Sequence, residues 1–352
     1  MADLDLSVAC SFQLVLVTDA SIRSAPKAKH HALTIVEEAL SQNVEATCVT
    51  CQKAHKFNIE INTTANPTPL QWSLQADKSA VLVDDERYAP SCQFHGLKLT
   101  TPTFRTNAIY STSPDDDGHV HQLDYSGIIK AVLQHAQRSL GTLSSPTTPQ
   151  SWLYAPSHCK MSVNIDNTGP GFLDSTYEKV AQLTKTCARQ IDILHMGRAH
   201  DSTLTSSSTI TFPQSPSTLS PTQALSWIAF CLSAVQSCAD PDLDLDLAHF
   251  ASPTFSASDL LQALGMTQSV FASLMADHRT RCRDAIANAM LGMSSSGSRI
   301  AEFALTWANR ELKDMDSDVV LARVKVKLLD GVYGRFSDSY LGVALLCLNT
   351  DM

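Results

Sequence analysis

The period at which apolar residues recur changes along this chain, and that change limits the architecture more than any single motif. Through the first third the pattern is that of strands. CSFQLVLVT (10–18) is a buried-strand run, VEATCVT and KFNIEIN (44–62) look like a pair, and SAVLVDD and HGLKLTTPTF (79–104) follow. One amphipathic helix interrupts them: Leu33, Val36, Glu37 and Leu40 stand at helical spacing, with Pro26 just ahead. From Ala224 to about Leu312 the period is helical.

Between these regions the punctuation is mixed. PDDDGHVH (114–121) reads as a polar turn, and a helix from about Asp124 to Leu140 takes Asp124 or Ser126 as its cap. GTLSSPTTPQS (141–151) is a connection. A short strand pair around WLY and KMSVNI then leads into one long helix over 172–194. Further on, Ser256 and Ser258 are plausible caps before Asp259, and Gly265 reads as a helix stop. Another helix is expected around 268–291. DVVLARVKVKLLDGVYGRF reads as a hairpin turning at Asp330-Gly331, and YLGVALLCLN as a closing buried strand. The expected class is α+β: a strand-rich N-terminal third and a helix-rich C-terminal half, closed by a β-hairpin and a terminal strand.

With 352 residues the chain suits one large domain or two ordinary ones. The expected division is an N-terminal arm (1–10), a mixed α/β region (11–200), a Ser/Thr/Pro-rich loop or linker (201–223) and a helical region with its hairpin (224–352). The last region and 11–200 also suit one compact domain. At 44% hydrophobic and 17% charged residues, the chain is too apolar for disorder. Its ten cysteines are scattered through apolar segments, as expected of reduced thiols in a cytosolic compartment. Asp3 and Asp5 stand where a secretory signal carries positive charge, and no apolar run reaches the ~18 residues of a membrane span. No membrane partner is expected.

Chemistry-bearing motifs are sparse. Neither a phosphate-binding glycine loop nor GxSxG nor HExxH occurs, so no enzyme is expected and no cofactor is implied. Metal-ligand spacing is nearest at Cys48-x-x-Cys51 with His55 four residues on, and Cys92-x-x-His95 some forty residues later. Zinc takes four such ligands in a tetrahedron. Against that, Cys48 lies in an apolar strand pattern where cysteine acts as a small hydrophobe. His119 and His121 follow three aspartates in what reads as a solvated turn. DLDLDL at 242–247 carries no chemistry.

The net charge of −9 rules out nucleic-acid binding through the overall field, so any such binding needs a local basic patch. Arg323, Lys325 and Lys327 alternate with apolar residues. On a strand they share one face, with cations about 6.5–7 Å apart, near the spacing of successive phosphates in an extended single strand. Tyr333, Arg335 and Phe336 sit across the turn, offering a cation and rings for base stacking. Arg279, Arg281 and Arg283 form a second cluster, on a helix where residues two apart diverge. Residues 279–335 hold ten Lys/Arg against seven Asp/Glu. The competing reading of the Arg323 strand is an edge protected from aggregation by its lysines. The arginine cluster reads equally as a solvated helix face.

From MADLDLSVACSF to GVALLCLNTDM, the chain resembles the small nonstructural protein of aquareoviruses, the counterpart of orthoreovirus sigma-NS. The likeness lies in length, composition, the acidic N-terminal tip and the RVKVKLLDGVYGRF hairpin. It implies sequence-tolerant binding of single-stranded RNA, homo-oligomers and RNA-chaperone activity. It also implies a larger viral nonstructural partner in factories of the host cytoplasm; DNA is not an expected partner. The alternatives are a structural assembly or capsid-clamp protein that contacts protein only and, behind it, a zinc-dependent enzyme.

Overall fold

A computed structural model of the chain describes residues 4–19, 28–41, 43–63, 71–81, 92–111, 120, 122–140, 151–156, 158–169, 171–194, 204–205, 209–240, 246–252, 254–267 and 270. The fold is α+β, with strands concentrated early and helices following. Its spine is β1 (Leu6–Asp19), fourteen residues long. Over 6–13 apolar and polar residues alternate along β1: Leu6, Val8, Cys10 and Phe12 are wholly buried on one face, continued by Leu14 and Leu16, whereas Ser7, Ala9, Ser11 and Gln13 fall on the other, which becomes apolar only from Val15. Residues 6–10, expected within an arm, are therefore the first stretch of the central strand. Full burial of Phe12, Leu14 or Leu16 contributes about 1.5–3 kcal/mol each.

Both edges of β1 are lined by strands laid end to end. On one side β6 (Cys92–Thr100) pairs with 11–19 and β7 (Phe104–Arg105) with Ser7 and Val8. Thr101 bridges the gap, bonding Cys10 N–H through its hydroxyl and Cys10 O through its own N–H, both at 2.9 Å. On the other side β10 (Ser151–Tyr154) pairs with 15–18 and β11 (Lys160–Asn167) with 6–12. The expected WLY and KMSVNI strands thus do not pair with each other. Both run antiparallel to a strand long enough to seat them in tandem.

The sheet is completed by β4 (Ile61–Asn62), β5 (Trp72–Ala76), β12 (Leu204–Thr205) and β13 (Thr209–Pro216), in the order β12-β13-β11-β1-β6-β5-β4. β13 corrects the expectation of a loop or linker over 201–223. Its Ile210 and Phe212 are fully buried, while Thr209 and Thr211 bond Asp166 and Asn164 of β11. Threonine suits a pleated surface, and the scarcity of charge that resembled a linker is that of a strand inside a sheet. Over 79–81 a strand was expected, but Lys78–Ala80 forms a 3-10 turn capped by Asp77, whose carboxylate accepts from Ser79 N–H.

Helices α1 (Ala28–Ser41), α2 (Tyr125–Ser139), α3 (Asp174–Thr186) and α5 (Pro221–Ala239) pack in sequence, α1 on α2, α2 on α5 and α5 on α3. They cover the apolar face of the sheet, α5 packing on β11 and α1 on β4, β5 and β6. Asp124 caps α2 by accepting Gly127 N–H at 2.6 Å. The long helix expected over 172–194 is two, α3 and α4 (Ala188–Leu194), meeting at Cys187. α6 (Leu247–Phe250) and α7 (Ala257–Ala263) follow. A reciprocal capping box between Ser256 and Asp259 starts α7, and Gly265 at φ +71° follows its end.

A hairpin of β2 (Val44–Thr47) and β3 (Ala54–Phe57) packs against α2. The small ladder of β8 (Tyr110–Ser111) and β9 (Gln122–Leu123) stands beside it. No helix among the described residues is long and apolar enough to cross a membrane.

Candidate functional site

The face of the sheet turned away from the four helices is built of short polar side chains in register across the strands. One row runs Ser162, Ser11, Thr100, Ser73 over β11, β1, β6 and β5. The next runs Gln13, Lys98, Gln75 over β1, β6 and β5. Lys160 joins Gln13 through its N–H, 2.8 Å from Gln13 Oε1. Ser11 and Ser162 hydroxyls meet at 2.7 Å, and Thr211 Oγ1 donates to Asn164 Oδ1 at 2.8 Å. Lys98 and Lys160 are exposed. Arg105 lies opposite Ser7 and is 3.8 Å from Asp5, an exposed pair of little energetic weight.

One end of this face turns apolar, with Val15, Val17, Trp152 and Tyr154, the two rings stacked at 4.4 Å. The Asp77–Ala80 turn folds over it. Asp77 N–H donates to Gly96 O at 2.7 Å, and His158 Nε2 lies 2.8 Å from Ala80 O. The backbone approach at Gly96 is so close that a Cβ there would sit 1.9 Å from Asp77 O. Gln13 Nε2 donates to Asp77 Oδ2 at 2.9 Å and to Ser79 Oγ at 3.1 Å. Burial by itself would raise the Asp77 carboxyl. Hydrogen bonds from Ser79 and Gln13, with the Lys98 charge, outweigh it and hold the group below the usual carboxylate range.

The cysteine–histidine candidates separate. Cys48 and Cys51 lie at the tip of the β2–β3 hairpin, whereas Cys92 and His95 lie on β6, where His95 Nε2 is 3.2 Å from Thr18 Oγ1. Burial, with the nearby charge of His31, lowers the His95 imidazole. Among the described residues no group of three or more His, Cys, Asp or Glu side chains is placed to hold a metal ion. The hairpin tip does gather two thiols and an imidazole. Cys51 Sγ lies 3.0 Å from His55 Nε2, and Cys48 Sγ accepts Gln122 N–H at 3.3 Å. Backbone N–H groups of Cys51, Gln122 and Thr50, with the Cys51 thiol, outweigh burial and lower the Cys48 thiol to about 6. The sequence held the Cys48–Cys51 spacing; the role of Gln122, 74 residues on, had no local signal.

Arg279, Arg281, Arg283, Arg323, Lys325, Lys327, Tyr333, Arg335 and Phe336 all lie outside the described residues, as do His119, His121 and the Asp330-Gly331 turn. The class that the geometry defines is an α+β protein with one helix-covered and one hydroxyl-rich sheet face. No family model, curated protein or solved structure matches the chain.

Proposed function

We propose that this chain is a sequence-tolerant, single-stranded RNA-binding protein that self-assembles and acts as an RNA chaperone in cytoplasmic viral factories, without enzymatic activity. The observation that carries this reading is the period-two stripe Arg323, Lys325, Lys327 in a chain of net charge −9. The likeness to the aquareovirus nonstructural protein supports it and adds the larger nonstructural partner. So do Lys98 and Lys160, exposed cations on the polar face of the sheet of the kind that meets phosphate groups without reading bases.

Because the whole chain is acidic, binding depends on assembly. Neighbouring subunits join their basic stripes into one track, so that weak contacts on a tethered strand reinforce one another. Purification in high salt, followed by mass measurement and ultraviolet absorbance, tests this. A large particle that takes up single-stranded RNA once salt is lowered supports the proposal. A monomer that stays free of RNA at low salt overturns it, and an RNA-free oligomer points to a protein-only assembly role.

A further inference from the structure

Among the described residues, the tip of the β2–β3 hairpin brings reactive side chains together outside the sheet face. Eight cysteines fall among the described residues, none in a disulfide, and of these Cys51 alone is exposed. Cys10 and Cys231 lie in the core, where burial raises their thiols, and Cys187 and Cys238 are pushed up to about 12 the same way. These are inert packing groups.

The hairpin pair differs in geometry. Gln52 N–H closes on Cys48 O at 3.0 Å, and Cys48 N–H on Lys53 O at 2.9 Å, so residues 48–51 make one tight turn. Gln52 holds φ +58° to allow it, and its side chain donates to Val49 O at 2.7 Å. The Cys51 thiol hydrogen-bonds Cys48 across this turn, which brings the two sulfurs together. His55 pairs with Ala46 and so shares the hairpin face of Cys48. Val49 N–H and Thr50 Oγ1, bonded to Gln122 O and Oε1 at 2.8 and 2.7 Å, fix the tip to β9.

We propose that Cys48 and Cys51 form a thiol–disulfide exchange site for low-molecular-weight disulfides, with Cys51 as the entry thiol, His55 as its proton acceptor and Cys48 as the resolving thiol. His55 Nε2 takes the Cys51 proton. The thiolate attacks one sulfur of the small disulfide, breaking its S–S bond; the first half leaves as thiolate and receives that proton. Cys48, 2% exposed and with its thiol lowered by the backbone N–H groups of Cys51, Gln122 and Thr50, then attacks Cys51 Sγ as the thiolate. The Cys48–Cys51 bond forms, and the second half departs as thiolate and picks up a proton from solvent. Two protein thiols are oxidised by two electrons, and the small disulfide is reduced to two thiols. The site is independent of the RNA-binding reading.

Glutathione disulfide added to the full chain, quenched with acid and an alkylating agent and mapped by peptide mass, tests the proposal. The wild type should yield the Cys48–Cys51 disulfide. C48S should stall with glutathione on Cys51, C51S should leave Cys48 unmodified, and H55N should slow capture several-fold. Retention of both thiols in the wild type overturns the proposal, as does capture at Cys51 no faster than in the urea-unfolded chain. The wild-type result stands even if a variant misfolds.

Discussion

At Gly96 the requirement is steric rather than conformational. The turn carrying Asp77 rests directly on the strand, and a methyl group would collide with a backbone carbonyl that cannot swing aside. Gly96→Ala is expected to destabilise the protein by about 1–3 kcal/mol, read as a lower urea midpoint at unchanged slope. Asp77 gives the same turn a pH dependence. Its carboxyl is lower in the folded chain than in the unfolded one, so its contribution is fully present above about pH 3.9 and is lost as pH falls through the lower folded value. Asp77→Asn should flatten that part of an acid-unfolding profile. His95 acts in the same direction in a higher window. Its lowered imidazole favours the neutral form in the fold, so stability falls as pH drops below about 6.5.

Among elements, β1 organises the molecule because it is long enough to seat two strands along each edge, and β13 extends that sheet past β11. Phe212→Ala should cost about 3–5 kcal/mol by chemical denaturation, the penalty for a fully buried ring rather than for a loop residue. The sequence disclosed strongly patterned elements: β1, α1, α2 with its Asp124 cap, and α7 between Ser256 and Gly265. It hid β13, where Ile210 and Phe212 stand among Thr, Ser, Pro and Gln214, because strand identity there comes from pairing with β11. It hid the α3–α4 junction as well, since Cys187 continues the apolar spacing across the break. Of the hairpin site the cysteine spacing was visible, but the partner supplying Gln122 was not, because register between distant segments leaves no local trace.

For the whole molecule, the proposed RNA-binding role requires an acidic chain to make its nucleic-acid contacts locally, through the Arg323, Lys325, Lys327 stripe, and to share them between subunits. Such contacts neutralise phosphates, so affinity should fall steeply with salt and vary little with RNA sequence. Edge protection would instead make the same cations irrelevant to RNA and important for solubility. The decisive measurement is filter binding of labelled single-stranded RNA across a salt series, for the wild type and for the triple variant R323Q/K325Q/K327Q. The account predicts wild-type binding that weakens steeply with salt, and a variant of unchanged fold whose log–log slope is shallower by about 2, near 0.7 for each lost phosphate contact on a single strand. A variant that binds with the wild-type affinity and slope would contradict it.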